Sequence, residues 1–451
     1  MRALQILALA LAAGCRTTPA PAASASQSAA IDPASFVAEL DRIAATELWP
    51  GFDLRTVPVA VFDGSRTLLF RHPSPPEGFV ADPTVSGAWI FPGRHPAMTA
   101  NTSVELGGVM TAAALLSSRA MSLRERAAIV AHEAFHVYQG QRHPNWVANE
   151  VELFAYPVDD ASLLTLRRLE TIALNRALMS SNVAGSACWT GIALATRRER
   201  FATLPAGSAE YERKNELKEG LARYVQWRAG GGGSRTADDP PPDAVRDRAY
   251  ASGASLALLL DRFLPTWKAA LSATDSIPLD VLLGTVPALS GEAAQCGFTP
   301  AERARVASAA SVDVEQLRTR RAERRQALLD QTGWRVVIAA SGSPLFPQEF
   351  DPLNVHMVAP GEVVHSRYIR LGNAAGTVEV FGRSSLTEAA GAHPLFNGVR
   401  ALTVSGLASA PAMTESGGTI SIKADGLTAE FRGAVVQMDG DTLTVQLAPR
   451  R

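Results

Sequence analysis

His132 and His136 stand four residues apart with a glutamate between them, in the run His132-Glu133-Ala134-Phe135-His136. On a helix that spacing puts both imidazoles on one face, one turn apart, where both reach a single ion. Neutral imidazole suits zinc. Glu133 is then placed to take a proton from a water that the metal acidifies. The chemistry implied is metal-assisted hydrolysis, with peptide bonds the foremost target. Two histidines are not enough, because a catalytic zinc needs a third protein ligand and an open position.

The flanks are those of a buried helix. Ile129-Val130-Ala131 precede the motif and Val137-Tyr138 follow it, so Glu133 is the only charge nearby. Ser122-Leu123-Arg124-Glu125 has the form of a capping box, and Gly140 and Pro144 are the expected stop. Three places offer a third ligand. In the metzincin pattern, H-E-x-x-H continues x-x-G-x-x-H, whereas Gly140 and His143 each come one residue late. On a helix that slip turns a side chain by about 100°. Glu150 and Glu152 follow the helix but read as loop carboxylates. The third place is the helical run Asn215-Glu216-Leu217-Lys218-Glu219-Gly220-Leu221-Ala222-Arg223-Tyr224.

That run, with the H-E-x-x-H before it, resembles the gluzincin metallopeptidases, most closely the aminopeptidase N-like branch. There the third ligand is the glutamate of an Asn-Glu-Gly-Phe-Ala segment, and Glu219-Gly220-Leu221-Ala222 matches it. The resemblance thus implies Zn2+ held by His132, His136 and Glu219, with Gly220 letting two helices approach closely. Glu216, one turn before Glu219, is the fallback ligand or a partner for an imidazole N–H. Tyr250-Ala251-Ser252-Gly253 is similar to the family's Tyr-x-Lys-Gly segment, whose tyrosine hydroxyl stabilises the oxyanion, so Tyr250 takes that role by resemblance. The catalytic residues are then Glu133 and Tyr250. The chain departs from the family in three ways. Ser252 replaces the lysine, the substrate-amine segment Gly-x-Met-Glu-Asn is missing, and roughly 80 residues separate His136 from Glu219 where the family has roughly 18. The upstream run Asn101-Thr102-Ser103-Val104-Glu105 reads as an edge strand able to pair with an extended substrate, with Glu105 as a candidate amine anchor.

The elements that must position these residues read as an α+β fold. Phe36, Leu40, Ile43 and Leu48 recur at helical spacing after Asp32-Pro33. Val57 to Phe62 and Thr67 to Phe70 read as strands joined at Asp63-Gly64. Helical patterns run from about Ser162 to Leu283, including Glu210 to Arg228 and Val245 to Phe263, and a long Arg-rich helix spans Ala301 to Gln331. From 333 the chain becomes short β-type runs, with turns at Asp425-Gly426 and Asp439-Gly440. The expected organisation is a signal segment (1–14), a flexible tether (15–30), a zincin-like domain (31–332) with a helical insertion at about 155–210, and a β-rich accessory domain (333–451).

Met1 to Gly14 has Arg2 and a short apolar run, and ends at Cys15. It resembles a bacterial lipoprotein signal, which implies export and a lipid anchor at Cys15, in the periplasm or at the outer membrane. Cys188 and Cys296 then remain, either bonded to each other or as two buried thiols. A net charge of −1, with no basic stripe, argues against nucleic acid as a partner. The expected partner is a peptide or protein substrate. The rival expectation is a non-catalytic envelope lipoprotein, with a structural or degenerate metal site and a β domain that binds a protein or glycan.

Overall fold

A complete capping box starts the helix that carries the motif. The Ser122 hydroxyl accepts from the Glu125 N–H, and the Glu125 carboxylate accepts from the Ser122 N–H at 2.7 Å. The computed structural model describes residues 30–447 apart from 118–120, 233–236, 275–276, 290–295, 341 and 352–353. The signal segment, Cys15 and the tether up to residue 29 lie outside the described residues. Among the described residues no helix is long and apolar enough to cross a membrane. The fold is α+β, with an N-terminal sheet, a helical middle and a β-rich C-terminal part.

Contacts divide the chain into two units. The first runs to Asn149 and resumes over Thr165–Ala304. The second joins Glu150–Leu164 to Arg305 onward, so the division lies earlier than the change of composition at 333.

The first unit opens with α1 (Pro33–Ala44), capped by Asp32. Its sheet contains β1 (Val59–Phe62), β2 (Arg66–Phe70), β3 (Val80–Ala81), β4 (Ala88–Pro92), β5 (Thr102–Leu106) and β6 (Val109–Leu115), in the order β3-β4-β2-β1-β6-β5. At the β1–β2 turn the Asp63 carboxylate accepts from the N–H groups of Ser65 and Arg66. Strands β1 and β6 run parallel and the other pairs antiparallel. One face of the sheet, with Val59, Val61, Phe70 and Ala112, joins the main core; the other face packs Ala60, Leu69 and Ala113 on Met98. β5 is left as the edge beside α2 (Leu123–Arg142).

Helix α2 is buried almost all round. Val130, Ala131, Ala134 and Phe135 enter the main core. Gly140 does not stop it; the helix runs on to Arg142 and ends at His143, directly before Pro144. A glycine inside a helix costs only about 1 kcal/mol, whereas the residue before a proline is driven out of helical geometry.

The segment between the two expected ligand groups is helical. It contains α3 (Glu152–Ala155), which belongs to the second unit, then α4 (Ala161–Met179), α5 (Val183–Thr203) and α6 (Ala206–Asn215). A π-helical turn, Glu216–Gly220, joins α6 to α7 (Leu221–Gly230). The run Glu210 to Arg228 is thus helical throughout but widened by one residue where the motif lies. Helices α8 (Val245–Phe263), α9 (Trp267–Thr274), α10 (Leu279–Gly284) and α11 (Pro300–Leu329) follow. Cys188 of α5 and Cys296 form a disulfide with a Cα–Cα distance of 6.2 Å.

Ion pairs between fully buried side chains lock α4, α5, α6, the π-turn and α8 together. Glu170 of α4 accepts from Arg197 and Arg200 of α5 at 2.9 Å, and pairs with Arg248 of α8. Arg200 also pairs with Glu212 of α6. Arg197 forks onto both oxygens of Glu216 in the π-turn, and the Ser252 hydroxyl of α8 donates to the same carboxylate at 2.5 Å. Trp49 adds an apolar clasp, with edge contacts to Phe135 of α2, Tyr224 of α7 and Trp267 of α9 at centroid distances of 5.3–6.4 Å.

The second unit is dominated by two β-sheets sharing one core. The seven-stranded sheet runs in the order Val435–Asp439, Thr442–Gln446, Trp334–Ala339, Val399–Leu407, Ser385–Ala389, Glu362–His365, Val355–Ala359. The six-stranded sheet runs Ala412–Ser416, Thr419–Ala424, Leu427–Arg432, Gly376–Phe381, Tyr368–Asn373, Phe346–Phe350. Strict alternation builds it: Leu427, Ala429 and Phe431 are buried while Thr428, Glu430 and Arg432 face water. Val336, Ile338, Val380 and Ile422 meet in the shared core. Strands such as Ala412–Ser416, exposed along its whole length, carry no apolar alternation and left no mark in the sequence pattern.

Replacing Arg197 by methionine should cost about 3–5 kcal/mol, because Glu170 and Glu216 would lose their buried cation. Chemical denaturation of the purified variant beside wild type measures it.

Candidate metal centre

Helix α2 presents His132 and His136 one turn apart, and the π-turn brings Glu219 to them. Nε2 of His132 and Nε2 of His136 lie 3.1 Å apart. Glu219 Oε2 is 3.1 Å from His136 Nε2 and 3.8 Å from His132 Nε2. This is the one group of three or more potential metal ligands that converges among the described residues. Four-coordinate ions with bonds of about 2.0–2.2 Å hold neighbouring ligand atoms roughly 3.3–3.6 Å apart, which this triangle nearly matches.

The tautomer of His136 follows from its neighbour. Gln139 Nε2 donates to the carbonyls of Leu217 and Lys218 at 3.1 and 2.9 Å, so Gln139 Oε1 is the free acceptor. It lies 2.8 Å from His136 Nδ1, which must therefore carry the proton. His136 Nε2 is then the atom turned toward Glu219 and His132: protonated, it donates to the Glu219 carboxylate, and once that proton leaves it offers a lone pair to a metal. Both carbonyls belong to the π-turn, where i→i+5 bonding redirects the backbone acceptors. One glutamine thereby ties the histidine helix to the glutamate turn.

Glycine brings the third helix in. A Cβ on Gly220 would stand 2.6 Å from the Gly253 Cα, and one on Gly253 would stand 2.8 Å from the Gly220 Cα. The close approach that Gly220 permits is therefore to α8, not to the histidine helix. It carries Tyr250 to the site, where the tyrosine ring lies nearly parallel to the His132 ring with centroids 6.0 Å apart.

The other candidates stand elsewhere. His143 stacks on Trp146 at 3.9 Å beyond the helix end. Glu150 and Glu152 are not among the converging ligand atoms. Glu216 is neither a ligand nor an imidazole partner, because Arg197 and Ser252 hold its carboxylate in the buried ionic cluster. Ser252, in the position of the family's lysine, is a hydrogen-bond donor within that cluster. Glu105 is exposed on edge strand β5.

Burial and charge divide the ionisable groups. Burial holds His132 down at about 4, so it is neutral near pH 7. Burial also pulls His136 down, but the Glu219 carboxylate outweighs it and leaves this histidine above its ordinary value. Glu219 is buried too, yet the histidines keep it well below the carboxylate range. Burial pushes Glu133 up to about 7, with the Glu219 charge adding to the effect.

Three residues at the site escaped the sequence reading. Gln139 follows His136 by three positions. Arg223 follows Glu219 by four, and Arg246 precedes Tyr250 by four. Each is thus one helical turn from a named site residue, and that spacing was the available signal. Arg246 donates to Glu219 Oε1 at 3.2 Å, leaving Oε2 to face the histidines. The Arg223 and Arg246 guanidiniums lie 5.7 and 5.8 Å from the Tyr250 ring centroid. No protein family matches the chain, and no curated protein or solved structure is detectably similar to it.

Two outcomes are expected. A metal must displace the proton that His136 holds above its ordinary value, whereas His132 has none to lose at neutral pH. Affinity should therefore fall about tenfold per pH unit once the pH drops below the raised His136 value, a slope of one proton rather than two. Competition with a chromophoric chelator between pH 5.5 and 8.5 measures the slope. Gln139→Leu should weaken metal binding by about 10–100-fold in the same assay.

Proposed function

We propose that this protein is an exported zinc metallopeptidase of gluzincin type. The observation that carries the reading is the convergence of His132 and His136 of α2 with Glu219 of the distant π-turn onto one ion-sized position. Two imidazoles and a carboxylate are a donor set of catalytic rather than structural zinc sites, which favour closed sets of cysteine and histidine. Zinc held by these three residues would supply a Lewis acid that acidifies a water and polarises an amide carbonyl.

The chain's own groups divide the remaining work. Gln139 orients His136, and Arg246 fixes one oxygen of Glu219 so that the other is the ligand. Glu133, buried and with an ordinary pKa raised to about 7, suits a base that takes a proton from water and returns it to the leaving amine. The Tyr250 hydroxyl donates to the developing oxyanion, in keeping with its ring beside His132. Edge strand β5, next to α2, offers an open edge on which an extended peptide can lie. That geometry favours a peptide or protein substrate.

The Cys188–Cys296 disulfide supports export, since such bonds persist in oxidising compartments. With the lipobox-like Cys15, the proposed location is the periplasm or outer membrane of a bacterium, with the lipid as the only membrane attachment.

Glu133→Gln should retain one zinc per chain, by metal analysis, while cleavage of casein or a fluorogenic peptide library falls by about 10²–10⁴-fold. His136→Ala should lose the zinc. Hydrolysis at the wild-type rate in Glu133→Gln defeats the mechanism. Zinc-free, fully folded wild type that cleaves nothing points instead to a non-catalytic binding protein. Tyr250→Phe should lower kcat by about a hundredfold with little change in KM.

A further inference from the structure

Arg223 differs from the arginines around it. Arg197, Arg200, Arg213 and Arg248 each pair with buried or half-buried carboxylates, and Arg246 is engaged with Glu219. Arg223 is half-buried on α7, yet among the described residues no carboxylate lies within ion-pair distance of it. Its one hydrogen-bond partner is the neutral Gln226 Oε1, at 3.0 Å. Its guanidinium instead lies 5.7 Å from the centre of the Tyr250 ring, which is itself parallel to the ring of His132. Its charge reaches both His132 and Glu133.

The charge around the site is also unbalanced. Glu133 and Glu219 supply two carboxylates. Arg223, Arg246 and, acting on His136, Lys218 supply three cations. A divalent metal adds two more positive charges. A guanidinium presents a planar fork of donors that matches a carboxylate, and an arginine without an anionic partner beside a reaction centre leaves that fork open. A focused positive field of this kind draws anionic ligands and disfavours cationic ones.

We infer that Arg223 is a specificity residue that receives a carboxylate of the substrate close to the scissile amide, with Arg246 reinforcing the positive field from its place on Glu219. The inference rests on the metallopeptidase reading for the word substrate, but not for the binding. The carboxylate has two possible sources, the free C-terminus of a short peptide or the side chain of an aspartate or glutamate. The shared chemistry is a carboxylate where a neutral amide is refused.

The test uses the full chain carrying Glu133→Gln, with one equivalent of zinc, and reads binding rather than turnover. Four dansyl peptides are titrated by fluorescence: Gly-Leu-Phe with a free C-terminus, the same peptide as its C-terminal amide, and Gly-Glu-Leu-Phe-amide with its Gly-Gln-Leu-Phe-amide counterpart. At least one carboxylate peptide should bind tenfold or more tightly than its neutral twin, and the pair that differs identifies the source. Adding Arg223→Ala should shrink that ratio to about twofold, by weakening the carboxylate peptide and leaving its twin unchanged. Arg223→Lys, which keeps the charge but not the fork, should retain part of the ratio and controls for folding.

Equal binding within both pairs overturns the inference. So does a loss in Arg223→Ala that falls equally on acid and amide, and so does failure of all four probes to bind. Hydrolysis of these peptides by zinc-loaded wild type is scored separately. Discrimination without hydrolysis keeps the carboxylate site and removes the peptidase reading; hydrolysis without discrimination does the reverse.

Discussion

The Arg197–Glu216 pair is the interaction on which the geometry of the metal centre depends. Glu216 lies one turn before Glu219, and its carboxylate is gripped by Arg197 of α5 and Ser252 of α8. Burying these charges is unfavourable unless every partner is in place. The same condition that makes the cluster costly makes it exact in position, because a shift of the π-turn would strand a glutamate or an arginine out of water. Helices α4 and α5, which lie between the two ligand groups in sequence, supply Glu170, Arg197 and Arg200 to this cluster. The long intervening segment thus braces the third ligand.

Two further contacts act on the same turn, and a third acts on the helix that follows it. Its widened geometry gives two carbonyls to Gln139, which in turn sets the proton on His136. Gly220 and Gly253 let α8 cross at backbone contact, and that crossing places Tyr250. Trp49 packs on both α2 and α7 and closes the pair from the apolar side. The histidine, the glutamate and the tyrosine are therefore not independently placed. A disturbance of the π-turn reaches all of them.

Much of this was legible in the sequence, for identifiable reasons. The His132–His136 spacing and the capping box are local, and local patterns survive folding. The strand alternation at Leu427–Arg432 and the turn at Asp63-Gly64 are local too. The grouping of Glu219 with the histidines was reached through its resemblance to a family segment, since no spacing links positions so far apart. What stayed hidden was pairing. Nothing in the sequence assigns Arg197 to Glu216 rather than to any other carboxylate, so Glu216 read as a spare ligand. The π-turn was hidden because the helix around it buries polar residues, among them Glu212, Asn215, Glu216 and Glu219, so the phase shift of about 100° that one extra residue brings has no clear apolar stripe to interrupt. The reach of α2 past Gly140 shows tertiary burial overriding a weak local stop.

The disulfide divides the metal centre in an unequal way. The covalent ring from Cys188 to Cys296 contains Glu219, Arg223, Arg246 and Tyr250, whereas His132 and His136 lie outside it. A ring of this size narrows the unfolded ensemble by about 4–5 kcal/mol of chain entropy, and all of that restriction falls on the half of the site that local sequence cannot assemble. The ring also bears on proteolysis of the chain itself. A backbone cut anywhere between the two cysteines would leave both fragments joined, so the glutamate and tyrosine arms would remain tethered to the helix that carries the histidines after the main chain is nicked.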